Sequence, residues 1–238
     1  MKKISREIVR FYSKVTDYFF LTQNFHKYQI KYSKIYSNTH KLKKDQFCLV
    51  HPPKSAGTSL TEHLKKNNID IYDSAHCLVS KYCNPEEYKY IVVIRNPIDR
   101  VKSFYEMQLN NKKLAFHRHS KKGINYFMKK IKINQNCLCK FIFGNLNQDI
   151  NNKIYSIVEK KLNNFCFILS FENLQKDMEI LSKKLNIDSN LIHLGGKKIE
   201  KKIEYSVEEI NIIKNFNQHD LKLYNYFIKI SHQRGYRK

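Results

Sequence analysis

The run Tyr90-Ile91-Val92-Val93-Ile94 is apolar at every position, so a strand built from it has no polar face to offer water. Such a strand must be covered on both sides, as in a parallel sheet sandwiched between helices. Two more short runs, over residues 45–51 and 165–171, are largely apolar and also suit buried strands. Each run leads through a turn signal into an amphipathic stretch. After the first, Leu60 and Leu64 stand one helical turn apart, at i and i+4. After the second, Asn96-Pro97 supplies an N-cap and a proline at the first helical position, opening a helix over 98–109. A third helix is predicted over 172–185, and residues 69–72 form a further short strand ending near Tyr72. Strands alternating with helices predict an α/β fold: a parallel sheet flanked by helices.

Toward the C-terminus, Ser206 and Glu209 form a capping box that predicts one last helix over 207–227. At the other end, Ile4, Ile8, Phe11, Tyr12, Val15 and Phe19 lie at helical spacing, and a Lys/Tyr/Asn-rich connector without a clear period follows over 26–45. The expected organisation is therefore an N-terminal helical extension, 1–45, and one domain, 46–238. The 238 residues suit a single domain with an appendage.

A hydrophobic content of 42% with 13% aromatic residues is enough to build a core, which excludes wholesale disorder. No run approaches the ~18 apolar residues that a membrane-spanning helix needs. Ser5, Arg6, Glu7 and Arg10 interrupt what would be the apolar part of a secretory signal, so a cytoplasmic location is expected, compatible with peripheral membrane contact. The six cysteines form no CxxC pair and have no histidines at zinc spacing, and they are expected as reduced thiols. The net charge of +23 favours polyanionic partners, with steering that weakens in salt.

The scarce residues are the informative ones. The chain has six glycines, four prolines and seven arginines against 37 lysines. Pro52, Pro53, Pro97, Arg95 and Arg100 all fall within 51–59 or 95–103. In the first stretch, His51-Pro-Pro-Lys54-Ser55-Ala56-Gly57-Thr58-Ser59, a strand runs into a glycine-containing turn and a helix. That arrangement converges backbone N–H groups and the helix dipole on an anion such as phosphate or sulfate. Lys54 adds a full charge, while Thr58 and Ser59 add hydroxyls. The Walker A pattern is not met, because Lys54 precedes Gly57 and the first glycine is missing. In the second stretch Arg95 sits at the carboxyl end of the strongest strand, where open α/β sheets bind ligands. Ser103 follows on the second turn of the next helix, so both can face one anion. A planar guanidinium fork matches phosphate as an ammonium does not. The plainer reading of this stretch is a structural ion pair of Arg95 or Arg100 with Asp99.

The first stretch resembles the 5′-phosphosulfate loop of sulfotransferases, most closely the carbohydrate type that includes the heparan sulfate 2-O-sulfotransferase group. Arg95-Asn96-Pro97-Ile-Asp-Arg100-Val-Lys-Ser103-Phe-Tyr105 resembles that family's 3′-phosphate element. Residues 165–178 are similar to its late strand and Glu-Asn-Leu turn, and Asp220–Tyr224 to its C-terminal pattern. The likeness spans roughly residues 46–228. It implies a P-loop-like sulfotransferase fold and, as donor co-substrate, 3′-phosphoadenosine 5′-phosphosulfate. Lys54, Ser55, Ala56, Gly57, Thr58 and Ser59 would then hold the 5′-phosphosulfate, with Arg95 and Ser103 on the 3′-phosphate.

The same resemblance implies His76 as the base that deprotonates the acceptor, 19 residues before Arg95 and just beyond the strand end expected at Tyr72. Ala75 and Cys77 depart from the family's Gly-His-Val segment there. It further implies that Lys197 and Lys198, after Gly195-Gly196, contact the 3′-phosphate. His51, last in its strand, reads as structural. His117 and His119 lie in an expected basic loop with no third metal ligand evident, and no metal is expected. The clusters Lys112-Lys113, Arg118, Lys121-Lys122 and Lys129-Lys130 follow the second motif, where an acceptor, a polyanionic or neutral glycan, would lie. Two other functions stand beside sulfuryl transfer: a P-loop-like nucleotide kinase, and a basic nucleic-acid-binding protein, although no nucleic-acid motif is present and no such partner is expected.

Overall fold

The computed structural model describes residues 42–43, 45–79, 85–190 and 203–231, with the backbone alone over 73–77 and 229–231. The helix expected over 4–20 lies outside these residues, as do Gly195, Gly196, Lys197 and Lys198.

Four strands form one all-parallel sheet in the order β2-β1-β3-β4: β1 is Phe47–Val50, β2 Ile71–Cys77, β3 Lys89–Ile94 and β4 Phe167–Ser170. The register pairs Leu49 with Ile91 and Ile91 with Phe167, so the two inner strands are β1 and β3. Helix α1, Gly57–Lys66, links β1 to β2. Between β3 and β4 run α2 (Pro97–Asn110), α3 (His117–Ser120), α4 (Ile124–Lys130), α5 (Cys137–Phe143) and α6 (Asn152–Asn163). Helices α7 (Leu174–Leu185), α8 (Val207–Phe216) and α9 (Gln218–Ser231) follow β4.

The alternation of side chains along β3 divides the core in two. Ile91 and Val93 turn to one face, where Leu49 and Leu169 join Leu60 and Leu64 of α1 and Met178 and Leu181 of α7. Tyr90, Val92 and Ile94 turn to the other, against Phe141 and Ile142 of α5, Val158 and Leu162 of α6, and Leu223 and Phe227 of α9. Both faces are covered, so the strand needs no polar residue. The connection leaving β1 thus packs on one face, while α5 and α6 of the connection leaving β3 pack on the other. Neighbouring strands whose connections diverge in this way open a crevice at their carboxyl ends. A third cluster, around Val101, Phe104, Phe127, Met128 and Ile213, ties α2 to α4 and α8.

Three expectations need correction. Strand β2 does not end near Tyr72 but continues to Cys77, so His76 lies within it. The polar residues Asp73 and Ser74 suggested an end, yet pairing with β1 depends on backbone groups; a shift of register between Cys48 and Val50 lets Val50 pair with Cys77. The single last helix is two helices, α8 and α9. The break is at Asn217, whose amide donates to Ile213 O (2.9 Å) while its Oδ1 accepts from Asn136 N (3.0 Å). Finally, the stretch holding His117 and His119 is helical. It is one turn, α3; the next helix, α4, has the clearer signal, since Ile124, Phe127, Met128 and Ile131 recur at helical spacing and are all buried.

Helices α5 and α9 cap one another. Both Asp220 carboxylate oxygens accept from α5, from Leu138 N and Cys139 N at 2.9 Å each. Asn136 Oδ1 in turn accepts from His219 N and Asp220 N. Four otherwise orphaned helix N–H groups are satisfied this way, which gives buried Asp220 a structural role.

Candidate functional site

All four strands point their carboxyl ends to one edge, and the loop 51–57 crosses it. Lys54 (φ 73°) and Ala56 (φ 57°) both adopt left-handed backbone that non-glycine residues rarely take. In tight turns of this kind successive N–H groups converge on a single point, a concavity suited to an anion. The loop delivers the chain into α1 with no side-chain cap at Ala56 and no acidic residue in the first turn, so the positive end of the helix dipole is left open. Gly57 is required by contact: a Cβ there would stand 1.9 Å from Cγ of the His51 ring. His51 is buried and shapes the loop from beneath, in keeping with the structural role expected for it.

Within this loop Ser55 is only 1% exposed, and its hydroxyl has no hydrogen-bond partner among the described residues. A buried hydroxyl without a partner is costly, and an anion in the cradle would satisfy it. Ser59 is buried at the same helix start, while Thr58 is exposed.

Arg95 reaches this loop from the end of β3. Its Nη1 donates to Lys54 O at 2.8 Å, and its guanidinium lies 4.1 Å from the centre of the Phe171 ring. Its buried Nε has no partner among the described residues. Burial lowers the pKa of both cations from their ordinary values; the Arg95 charge adds to the effect on Lys54, whereas the Asp99 and Glu172 carboxylates oppose it at Arg95. The structure thus brings Lys54, Ser55, Gly57, Ser59 and Arg95 together. Arg100 does not share the site: it is buried and donates to Asn134 Oδ1 (2.8 Å) and Asn134 O (2.9 Å), not to Asp99.

Ser103 is half-buried on the second turn of α2. Three residues on, along the same helix face, is Glu106. Only 8% exposed, this carboxylate raises the pKa of both Lys54 and Arg95, opposing the effect of their burial. Glu106 also accepts from Tyr205 Oη at 3.3 Å. The sequence reading passed over Glu106, although counting helical turns from Ser103 would have found it. It also missed the parts played by Phe171 and Glu172, which the rule of strand carboxyl ends points to.

His76 is one residue before Cys77, which pairs with Val50, the last residue of β1 before the loop. The backbone therefore places it at the cradle's edge of the sheet. Further out, Lys112, Lys113, Arg118, Lys121, Lys122, Lys129 and Lys130 are exposed around α3 and α4. Lys122 and Lys130 flank the Tyr126 ring at 4.8 and 5.9 Å. His117 is buried and its Nδ1 bonds Gln108 O at 3.0 Å.

No family model matches this chain, and no curated protein matches it.

Proposed function

We propose that the chain is a sulfotransferase moving a sulfuryl group from 3′-phosphoadenosine 5′-phosphosulfate to a hydroxyl of a carbohydrate acceptor. The observation that carries this reading is the 2.8 Å bond from Arg95 to the Lys54 carbonyl, which joins the two anion-seeking motifs into one site. A donor with phosphate at both ends of its ribose needs two such anion sites close together. The unpaired Ser55 hydroxyl and the open N-terminus of α1 suit the 5′-phosphosulfate. Arg95 and Ser103 suit the 3′-phosphate, with Lys197 and Lys198 as further contacts.

In the reaction the acceptor oxygen bonds to sulfur as the bond from sulfur to the bridging oxygen breaks. That electron pair stays on the 5′-phosphate, where Lys54 and the N–H groups of the loop stabilise it. His76 takes the acceptor proton. Positioning and fixed positive charge supply most of the rate, as in phosphoryl transfer.

The test is a binding titration without magnesium. This reading expects tight binding of adenosine 3′,5′-bisphosphate and sulfate transfer to one member of a polysaccharide panel. Magnesium-dependent binding of a nucleoside triphosphate would favour a kinase instead.

A further inference from the structure

Arg95 is gripped on both sides by consecutive residues at the end of β4. Before it, Ile94 O accepts from Phe171 N at 2.7 Å; after it, Asn96 N donates to Glu172 Oε1 at 2.7 Å. Between the two, the Phe171 ring lies against the guanidinium at 4.1 Å. Glu172 is itself held, its Oε2 accepting from Ser170 Oγ at 2.9 Å. Asn96 Oδ1 accepts from Ile98 N at 2.9 Å, so the same residue also starts α2, the helix that carries Ser103.

We infer that Glu172, anchored by Ser170, is the positioning residue for the 3′-phosphate site: it fixes the backbone on which Arg95 and Ser103 are mounted, without touching the ligand. This rests on reading the cradle as a bisphosphate site. The physical reason is reach. A guanidinium on a long side chain recognises phosphate bidentately only when its base is fixed, and the Arg95 base lies in a connection between strand and helix. Bracketing its two peptide bonds and backing its plane with a ring holds the fork before the ligand arrives.

The experiment compares adenosine 3′,5′-bisphosphate with adenosine 5′-phosphate as ligands of the full chain. The variants are Glu172→Ala, Glu172→Gln and Ser170→Ala, each with its melting temperature measured. Wild type should prefer the bisphosphate. Glu172→Ala should lose about tenfold or more of that preference, and Ser170→Ala roughly 3–10-fold, as expected for losing hydrogen bonds to a charged group. Affinity for the 5′-phosphate should stay at the wild-type level in all three. Glu172→Gln still offers a carbonyl oxygen to Asn96 N and should keep most of the preference. Ser170→Ala removes only the hydroxyl that holds Glu172 Oε2, so it tests the idea even if Glu172→Ala fails to fold. An unchanged preference in folded Glu172→Ala or Ser170→Ala overturns the inference. So does an equal loss of both ligands, which marks a merely structural residue. If wild type shows no preference at all, the bisphosphate reading itself has failed, and the inference falls with it.

Discussion

Arg95 spends one arm of its guanidinium on the Lys54 carbonyl, at 2.8 Å, and so ties the loop after β1 to the loop after β3 across the middle of the sheet. Two cations held this close, each partly stripped of water, repel one another, and the buried Glu106 carboxylate eases the repulsion at both. An arriving anion would relieve it further. A lysine at 95 lacks the planar fork that can serve a carbonyl and a phosphate together. Arg95→Lys should therefore bind the bisphosphate no better than Arg95→Ala, both losing about 1.5–3 kcal/mol. Calorimetric titration with the bisphosphate and the 5′-phosphate checks this; restoration of the preference by lysine would move the 3′-phosphate site elsewhere.

Lys54→Ala should slow turnover far more than it weakens donor binding. The lysine charge matters most when the bridging oxygen becomes anionic, which happens only in the transition state. Single-turnover rates set beside donor affinity separate the two effects. Lost affinity with a normal rate would assign Lys54 to ground-state binding alone.

The same lysine sets a pH limit. Burial and the Arg95 charge stabilise its neutral form, so its proton leaves at a pH below the ordinary 10.5. The protonated form is the one that stabilises charge on the leaving phosphate. Turnover should thus be full on this limb at neutral pH and decline as pH rises through that lowered value. Lys54→Arg retains its charge there and should abolish the alkaline limb; a limb that persists in this variant belongs to another group.

Gly57→Ala should destabilise the fold by about 1–3 kcal/mol, as overpacking does. The added Cβ would fall 1.9 Å from the His51 ring, and the buried ring has little room to move. Shrinking the ring should recover part of the loss. In urea unfolding, the double variant His51→Ala/Gly57→Ala should lie above the sum of the singles by more than about 0.5 kcal/mol. Strict additivity would show that the two positions are not in conflict.

His76→Ala should lower turnover by ~10²–10⁴-fold, the usual contribution of a general base, and leave bisphosphate affinity intact. Wild-type activity should fall as pH drops and the imidazole becomes protonated, and the variant should lack that acidic limb. Survival of the limb in the variant would direct attention to a carboxylate; among the described residues, Glu106 is the one that acts on both Lys54 and Arg95.

Much of the scaffold was legible because its signals are local. The unbroken apolar run of β3 demanded two covered faces; Asn96-Pro97 did start α2, with the Asn96 side chain accepting from Ile98 N, and the Ser206–Glu209 capping box did form. Periodicity over 124–131 was there to be read as helix but was hidden by its lysines. The break at Asn217 could not be read locally, since half of its cause is a hydrogen bond to Asn136, 81 residues away.

For the site, the sequence by itself singled out the candidates: three of the four prolines, two of the seven arginines and Gly57 lie at two strand ends, beside Lys54. Tertiary structure alone decided how they meet. The order β2-β1-β3-β4 sets the ends of β1 and β3 side by side, and so brings Arg95 onto Lys54 over 41 positions of sequence. It also turned Arg100 away to Asn134, though Arg100 stands in the same motif, and set the Glu172 carboxylate on Asn96 N, the residue after Arg95. Local pattern follows from backbone geometry within a few residues. Which charged group ends up beside which is settled only when the sheet is assembled, because burial and partner then fix where each charge can stand.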